Sequence, residues 1–355
     1  MKKFNVAIIG CGTICMSAHA PKYSENPRAE IKYLCDLLPE KAEAIKKEYK
    51  LDDAVIVTDY KELLNKDDID VVSVCLPNYL HAPVTIDFLN AGKDVLCEKP
   101  ISTNVKDALA MQAAAEKNNR ILNIGVVNRF NTYVNELRKL VEAGEFGEMY
   151  HIYCAFRQQR SIPGMGGWFT TKAMSGGGSL IDWGVHYLDL ILYIMGMPNV
   201  KTVSGKSFCK LAKNMKDYVF DYMWAGPPDY NGTYDVDDSV TGFIRTDGPT
   251  ITFNGAWAQN LEYGDTSIEF LGTKGGAKLT YGGSFRLTLV RDGKIETTTP
   301  EFEKADMFYE EMDAFLDAVE KREKNKGNID NVIVTQKLLN GIYDSSDSDR
   351  EVVIQ

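Results

Sequence analysis

The sequence predicts an α/β protein in two parts. Residues 1–125 read as a doubly wound parallel sheet, and residues 126–355 as an α+β domain with a large, mostly antiparallel open sheet. Three observations predict this. Short apolar runs alternate with helical stretches through the first third, as a parallel sheet with crossover helices requires. A glycine turn, Gly10-Cys11-Gly12, follows the first run. After Gly196, runs of alternating polarity dominate, the pattern of strands with one covered face.

Phe4 to Ile9 reads as a buried strand entering the glycine turn. Thr13 to Tyr23 reads as the start of a helix, cut by Pro21. Ile31 to Cys35 is a second strand, ending in Asp36. Strand, glycine turn, helix, strand, acidic residue is the order of a dinucleotide-binding Rossmann unit. Gly10 permits the tight turn, and Gly12 lets the backbone approach a pyrophosphate at the helix N-terminus. Cys15 holds the place of the third glycine. Asp36 stands at about the expected spacing of roughly 20 residues and would accept the ribose hydroxyls. Capping of a helix that starts near Pro39 is the other use open to it. Leu37 and Leu38 offer no arginine for a 2′-phosphate, which favours NAD over NADP.

The alternation continues through strands at Ala54 to Val57, Val71 to Leu76, Asp94 to Cys97 and Ile121 to Val126. Helices are expected at Asp59 to Asn65, from about His81 to Ala91, and at Asn104 to Lys117. Ligands of such sheets bind beyond the carboxyl ends of the strands. Asn78, His81, Glu98 and Lys99 all fall there. Lys99, just before a proline, is a positioned cation able to orient a hydroxyl or polarise an oxygen; an exposed loop lysine is the alternative. For His81 the alternative is a surface residue at a helix start.

Asn131 to Ala143 is expected to be helical, and Glu148 to Gln159 a strand. Arg157 and Arg160 then precede the glycine-rich loop that ends at Trp168. That loop suits a substrate wall: an aromatic face fits the C–H side of a sugar ring, and Arg157 could reach hydroxyls. A core role for Trp168 is equally open.

Ser175 to Gly196, SGGGSLIDWGVHYLDLILYIMG, reads as a buried helix with Ser179 as its N-cap. Leu180, Ile181, Val185, Leu188, Ile191, Leu192 and Met195 cover more than one face. Asp182, His186 and Asp189 form a polar stripe on one side. A carboxylate one turn from a histidine can serve as an acid/base unit, the carboxylate supporting the charged ring. A satisfied pair that anchors the helix is the alternative. The three glycines would let a backbone or a ligand come close to the helix start.

Strands are expected at Lys201 to Phe208, Asp238 to Arg245, Thr250 to Gln259, Ser267 to Leu271, Ala277 to Thr280 and Ser284 to Val290. The long aromatic and acidic segment 215–238 reads as an insertion near the substrate or at a subunit contact. Phe302 to Glu323 and Asn331 to Tyr343 are amphipathic helices, and Glu351 to Ile354 a closing strand.

The formal net charge of −10 argues against a nucleic-acid or anionic-membrane binder. The seven cysteines include no close CxxC pair. That fits reduced thiols in a cytoplasmic protein better than a disulfide framework, and no cluster with metal-ligand spacing is found. The apolar run at the start is too short for a signal-peptide core.

Five pieces together resemble the Gfo/Idh/MocA family of NAD(P)-dependent oxidoreductases, the group of glucose–fructose oxidoreductase and inositol dehydrogenase. They are GCGTI at Gly10 to Ile14, LPNYLH at Leu76 to His81, CEKP at Cys97 to Pro100, NRF at Asn128 to Phe130, and GGGSLIDWGVHYLD at Gly176 to Asp189. The resemblance implies a dehydrogenase acting on a sugar, sugar derivative or cyclitol. It implies that Gly10, Gly12, Thr13, Ile14, Asp36, Leu76, Asn78, His81, Glu98, Lys99 and Asn128 form the cofactor site. Lys99, Asp182 and His186 would be the catalytic set, with His186 the general base, and Arg157 and Trp168 would join them around substrate. It also implies a homodimer or homotetramer built through the open sheet. Family members that cleave glycosides by transient oxidation, and others that only sense NAD or sugar, are the rival readings. The departure from the pattern is Cys15.

Overall fold

The computed structural model describes residues 3–354. The chain divides into two compact units, one running through Phe130 and including Ala305–Ile333, the other comprising Asn131–Lys304 and the residues from Val334 on.

Among the described residues the first unit contains six strands, β1 (Phe4–Ile9), β2 (Ala29–Cys35), β3 (Val55–Val57), β4 (Val71–Val74), β5 (Asp94–Glu98) and β6 (Leu122–Gly125). They lie in the order β3-β2-β1-β4-β5-β6, and all their pairings are parallel. β4, β5 and β6 are buried at every residue, which is why they read as unbroken apolar runs. The order reverses between β1 and β4, and that reversal is where such sheets open a ligand crevice. The helices are α1 (Ala20–Glu25), α2 (Pro39–Glu48), α3 (Asn78–Asn90) and α4 (Val105–Lys117).

Pro21 does not cut the first helix. A π turn, Cys15–His19, runs straight into α1, and Pro21 sits in the first turn of α1. Its missing N–H falls where the wider turn has already interrupted the regular hydrogen-bond ladder.

The second unit holds α5 (Thr132–Glu142), α6 (Lys172–Ser175), α7 (Val185–Ile194) and a nine-stranded sheet. Its strands are β7 (Met149–Arg157), β8 (Val200–Phe208), β9 (Ser239–Thr246), β10 (Thr250–Ala256), β11 (Ser267–Gly272), β12 (Gly275–Thr280), β13 (Phe285–Arg291), β14 (Lys294–Thr298) and β15 (Val352–Val353). Only β7 and β10 pair in parallel; the other neighbours are antiparallel. β14 lies outside the expected strands. All five of its residues are exposed, so it carries no alternation to read. One sheet face, with Ile152, Cys154, Phe156, Ile251, Phe253, Ile268 and Phe270, shares a core with α7.

α8 (Met307–Lys321) belongs with the first unit, although the sequence alone groups the whole tail with the second. Met312, Phe315, Leu316 and Val319 join the core around β1 and β2. The following loop covers the free edge of β6. There the Ile124 N–H donates to Gly327 O at 2.8 Å, and the Asn328 side chain donates to Leu122 O at 3.2 Å. An uncovered edge strand is a liability, and the tail removes it. The last helix, α9 (Ile329–Ser348), begins in the first unit and ends in the second. Among the described residues no helix is long and apolar enough to cross a membrane.

Candidate active site

The glycine turn sits at the carboxyl end of β1, beside the reversal in strand order. Gly10 has φ +97°, and a Cβ there would stand 2.4 Å from Cys75 O, so conformation and space both demand glycine. At Gly12 a Cβ would meet nothing within 4 Å among the described residues, so the backbone face there is clear for a ligand. The Asp36 carboxylate accepts the Cys11 N–H at 2.8 Å and the Leu38 N–H at 2.9 Å. It therefore ties the glycine turn to the end of β2, and α2 starts without a side-chain cap from it. This is a fit to a dinucleotide: a turn that only glycine can make, an open amide face, and a fixed carboxylate at the neighbouring strand end. Thr13 is exposed and Ile14 half-buried at the helix start. Cys15, in the third glycine position, is fully buried in the core within the π turn. Its thiol is pushed well up by a hydrogen bond with the free thiol of Cys11 and by burial, so it is an inert packing group.

Leu76 and Asn78 lie at the carboxyl end of β4. His81 is buried in α3, its Nδ1 2.7 Å from Pro100 O and its Nε2 2.7 Å from Leu76 O. The ring thus clips the loop after β4 to the loop after β5. Burial pushes its pKa down, and the two carbonyl contacts oppose that shift. Glu98 closes β5, and its Oε2 accepts the Lys99 N–H at 3.2 Å. Burial alone would push the Glu98 carboxyl up. The hydrogen bond from His19, with the charges of His19 and Lys99, overcomes this and holds it below the usual carboxylate range. Asn128 is buried in a 3₁₀ turn, Val127–Phe130. Its neighbour Arg129, also buried, donates to Lys326 O at 2.7 Å and Asn331 O at 3.0 Å.

In the second unit, a π turn over Leu180–Gly184 leads into α7. Ser179 does not cap it. Its hydroxyl donates to Asp237 Oδ2 at 2.7 Å, and Asp237 does the capping, accepting the Gly178 N–H at 2.8 Å and the Leu180 N–H at 3.0 Å. Tyr343 O–H donates to the same carboxylate at 2.6 Å. The glycines admit these partners: a Cβ on Gly178 would lie 1.9 Å from Asp237 O, and one on Gly177 would lie 2.0 Å from Tyr343 Oη.

The polar stripe splits in two. Asp189 is buried and accepts the Thr335 hydroxyl at 2.8 Å, which makes it a structural anchor. Asp182 and His186 stay half-buried on a helix whose other side is core. Asp182 Oδ2 accepts the indole N–H of the fully buried Trp257 at 3.1 Å. The His186 ring stands 6.1 Å from that of Tyr281. A half-exposed imidazole one turn from a fixed carboxylate is equipped to take up a proton.

Trp168 is half-buried and stacks on Phe169 at 3.8 Å, and Phe169 meets Trp224 edge-on at 5.3 Å. The 215–238 segment is folded against this loop, with the Ala225 N–H donating to Pro163 O and the Asp229 N–H to Met165 O, both at 2.8 Å. Arg157 is paired with Asp265 at 3.4 Å. Among the described residues no group of three or more His, Cys, Asp or Glu side chains could hold a metal ion.

Three residues that matter here escaped the sequence reading: His19, Asp237 and Trp257. Only His19 leaves a trace in the sequence, being one of just four histidines and set in an apolar stretch directly after the glycine turn.

Residues 4–126 match the family model described as an oxidoreductase family, NAD-binding Rossmann fold, and residues 134–278 match the GFO/IDH/MocA C-terminal domain. D-glucoside 3-dehydrogenase of Escherichia coli (strain K12) is 31% identical over 352 residues, 98% of this chain and 96% of that protein. Inositol 2-dehydrogenase of Salmonella typhimurium is 30% identical over 135 residues, 38% of this chain and 40% of that protein. Among solved structures, levoglucosan dehydrogenase in complex with NADH and levoglucosan superposes with a TM-score of 0.88, covering 99% of this chain and all of that one at 20% identity, a likeness of fold. The glycine turn, the strand order and these matches agree: the chain belongs to the Gfo/Idh/MocA family of oxidoreductases, and its amino-terminal domain is an NAD-binding Rossmann domain.

Proposed function

We propose that the protein is an NAD-dependent dehydrogenase that oxidises a hydroxyl of a sugar, a sugar derivative or a cyclitol. The observation that carries this reading is the Asp182–His186 pair, kept half-buried with Trp183 where a π turn and α7 are otherwise buried. The relatives named for glucoside and inositol oxidation support the substrate class. In this reading His186 takes the proton from the substrate hydroxyl oxygen onto its imidazole. Asp182, fixed by Trp257, supports the charged ring. Lys99 donates to the same oxygen and orients it. Bound NAD supplies the hydride acceptor. Gly10 and Gly12 hold the pyrophosphate, Asp36 the ribose, and Thr13, Ile14, Leu76, Asn78, His81, Glu98 and Asn128 shape the rest of that site. Leu37 and Leu38, both exposed beside Asp36, offer no cation for a 2′-phosphate, which supports NAD over NADP. Trp168 and Arg157 would bound the sugar.

The sheet face opposite the core, where Tyr153 of β7 is exposed, would be covered by a second copy of the chain. Seven free cysteines, six of them buried, support a reducing, cytoplasmic setting.

The test is NADH formation by the purified protein on a panel of sugars, glycosides and cyclitols. His186→Ala and Lys99→Ala should each lower kcat by about 10²–10⁴-fold with the fold intact. Full turnover in both variants would refute the assignment. Co-purified nucleotide with no net NADH release would instead favour transient oxidation on the way to glycoside cleavage. NAD binding with no turnover on any compound would favour a sensor.

A further inference from the structure

One buried chain of polar side chains in the first unit ends on Glu98, and its other members, His19, Ser73 and Tyr23, have no part in the reaction as described. His19 is fully buried at the end of the π turn that follows the glycine turn. Its Nε2 donates to Glu98 Oε1 at 2.9 Å, and its Nδ1 lies 3.2 Å from Ser73 Oγ. Ser73 Oγ is in turn 2.9 Å from Tyr23 Oη. The other Glu98 oxygen accepts the Lys99 N–H. The carboxylate lies against Gly125, where an added Cβ would stand 3.0 Å from its carbon, so glycine there leaves it its place.

Packing alone does not call for a histidine here. A leucine would fill a buried site without polar atoms, whereas an imidazole in the interior must have its nitrogens satisfied. Both are satisfied, and by groups on two different strands, β4 and β5. The ring therefore links the helix that begins at the cofactor turn to the strand end that bears Lys99.

We propose that His19 is a positioning residue, which through Glu98 sets the backbone at Lys99 and so couples the cofactor-binding turn to the placement of the lysine ammonium. The proposal rests on the role given to Lys99 above. A displacement of about 1 Å at a reacting group can cost on the order of 100-fold in rate, so a hydrogen bond one residue away has leverage on turnover without touching substrate.

Two conservative variants separate this from simple packing. A glutamine side-chain nitrogen reaches the place of Nε2, so His19→Gln can still donate to Glu98. An asparagine nitrogen reaches only the place of Nδ1, so His19→Asn keeps the Ser73 contact and loses Glu98. The expected result is that His19→Asn lowers kcat roughly 10- to 100-fold with KM for NAD nearly unchanged, and that His19→Gln recovers most of it. A second readout does not need turnover. In reductively ¹³C-methylated protein the Lys99 signal, assigned with Lys99→Arg, should shift in His19→Asn and hold its place in His19→Gln. Equal kcat in wild type and both variants, or losses that follow melting temperature alone, would overturn the proposal, as would an unmoved Lys99 signal. Lys99→Ala is run beside them. If it keeps full turnover, the catalytic reading has failed; if it is inactive while His19→Asn is fully active, only the coupling has failed.

Discussion

Glu311 is buried at 1% exposure on α8, and neither of its carboxyl oxygens has a hydrogen-bond partner among the described residues. Burial pushes its pKa well above the usual carboxylate value, and the negative charge of Glu98 adds to the shift. The sign of the effect on stability follows directly. Below the ordinary glutamate pKa of about 4.3 the group is protonated in both states. As pH rises from there towards the raised value, the unfolded chain ionises first, and folding loses free energy. Glu311→Met should therefore stabilise the protein by about 1–3 kcal/mol near neutrality. The gain should be larger at about pH 8 than at about pH 5 in urea unfolding. A variant less stable than wild type at the higher pH would show that Glu311 has a partner in solution. No periodicity marks such a residue: on the sequence it is one more acid in an amphipathic helix.

At the scale of the element, the start of the site helix depends on an acid 55 residues or more further along the chain. Asp237 holds Gly178, Ser179 and Leu180, and Tyr343 closes over it. The glycine run and the apolar helix were both legible in the sequence. What caps them was not, because a loop carboxylate far along the chain leaves no spacing to read. Asp237→Ala strands buried donors on four residues and should cost about 3 kcal/mol or more. Hydrogen exchange should show the loss concentrated in the first turns before His186, with β1 to β6 unaffected. Uniform deprotection of both units would mean that the cap is not local. The same reasoning covers Pro21. Local propensity predicts a break, and the π turn beside it absorbs the missing donor.

At the scale of the molecule, the nine-stranded sheet packs one face on α7 and leaves Tyr153 of β7 exposed on the other. If a second copy covers that face, Tyr153→Asp, which buries a charge at the contact, should shift the protein to monomers in light scattering coupled to gel filtration. An unchanged oligomer, or a wild type that is already monomeric, would count against that assembly. The substitution lies on the open face, away from the helix that carries His186, so each protomer should keep its fold by circular dichroism while the melting temperature loses its dependence on protein concentration.

By itself the sequence determined the elements with strong local signals: six parallel strands written as short apolar runs, the glycine turn with Asp36, and the helix with Asp182 and His186. Those signals are local because strand burial, backbone conformation and helical spacing act over a few residues. Tertiary structure alone decided that α8 returns to the first sheet, that Asp237 rather than Ser179 caps the helix, that Asp189 is an anchor while Asp182 stays accessible, and that His19 reaches Glu98. Each of these joins residues distant in the chain. A hydrogen bond between such partners depends on where the backbone carries them, which no pattern of neighbouring residues encodes.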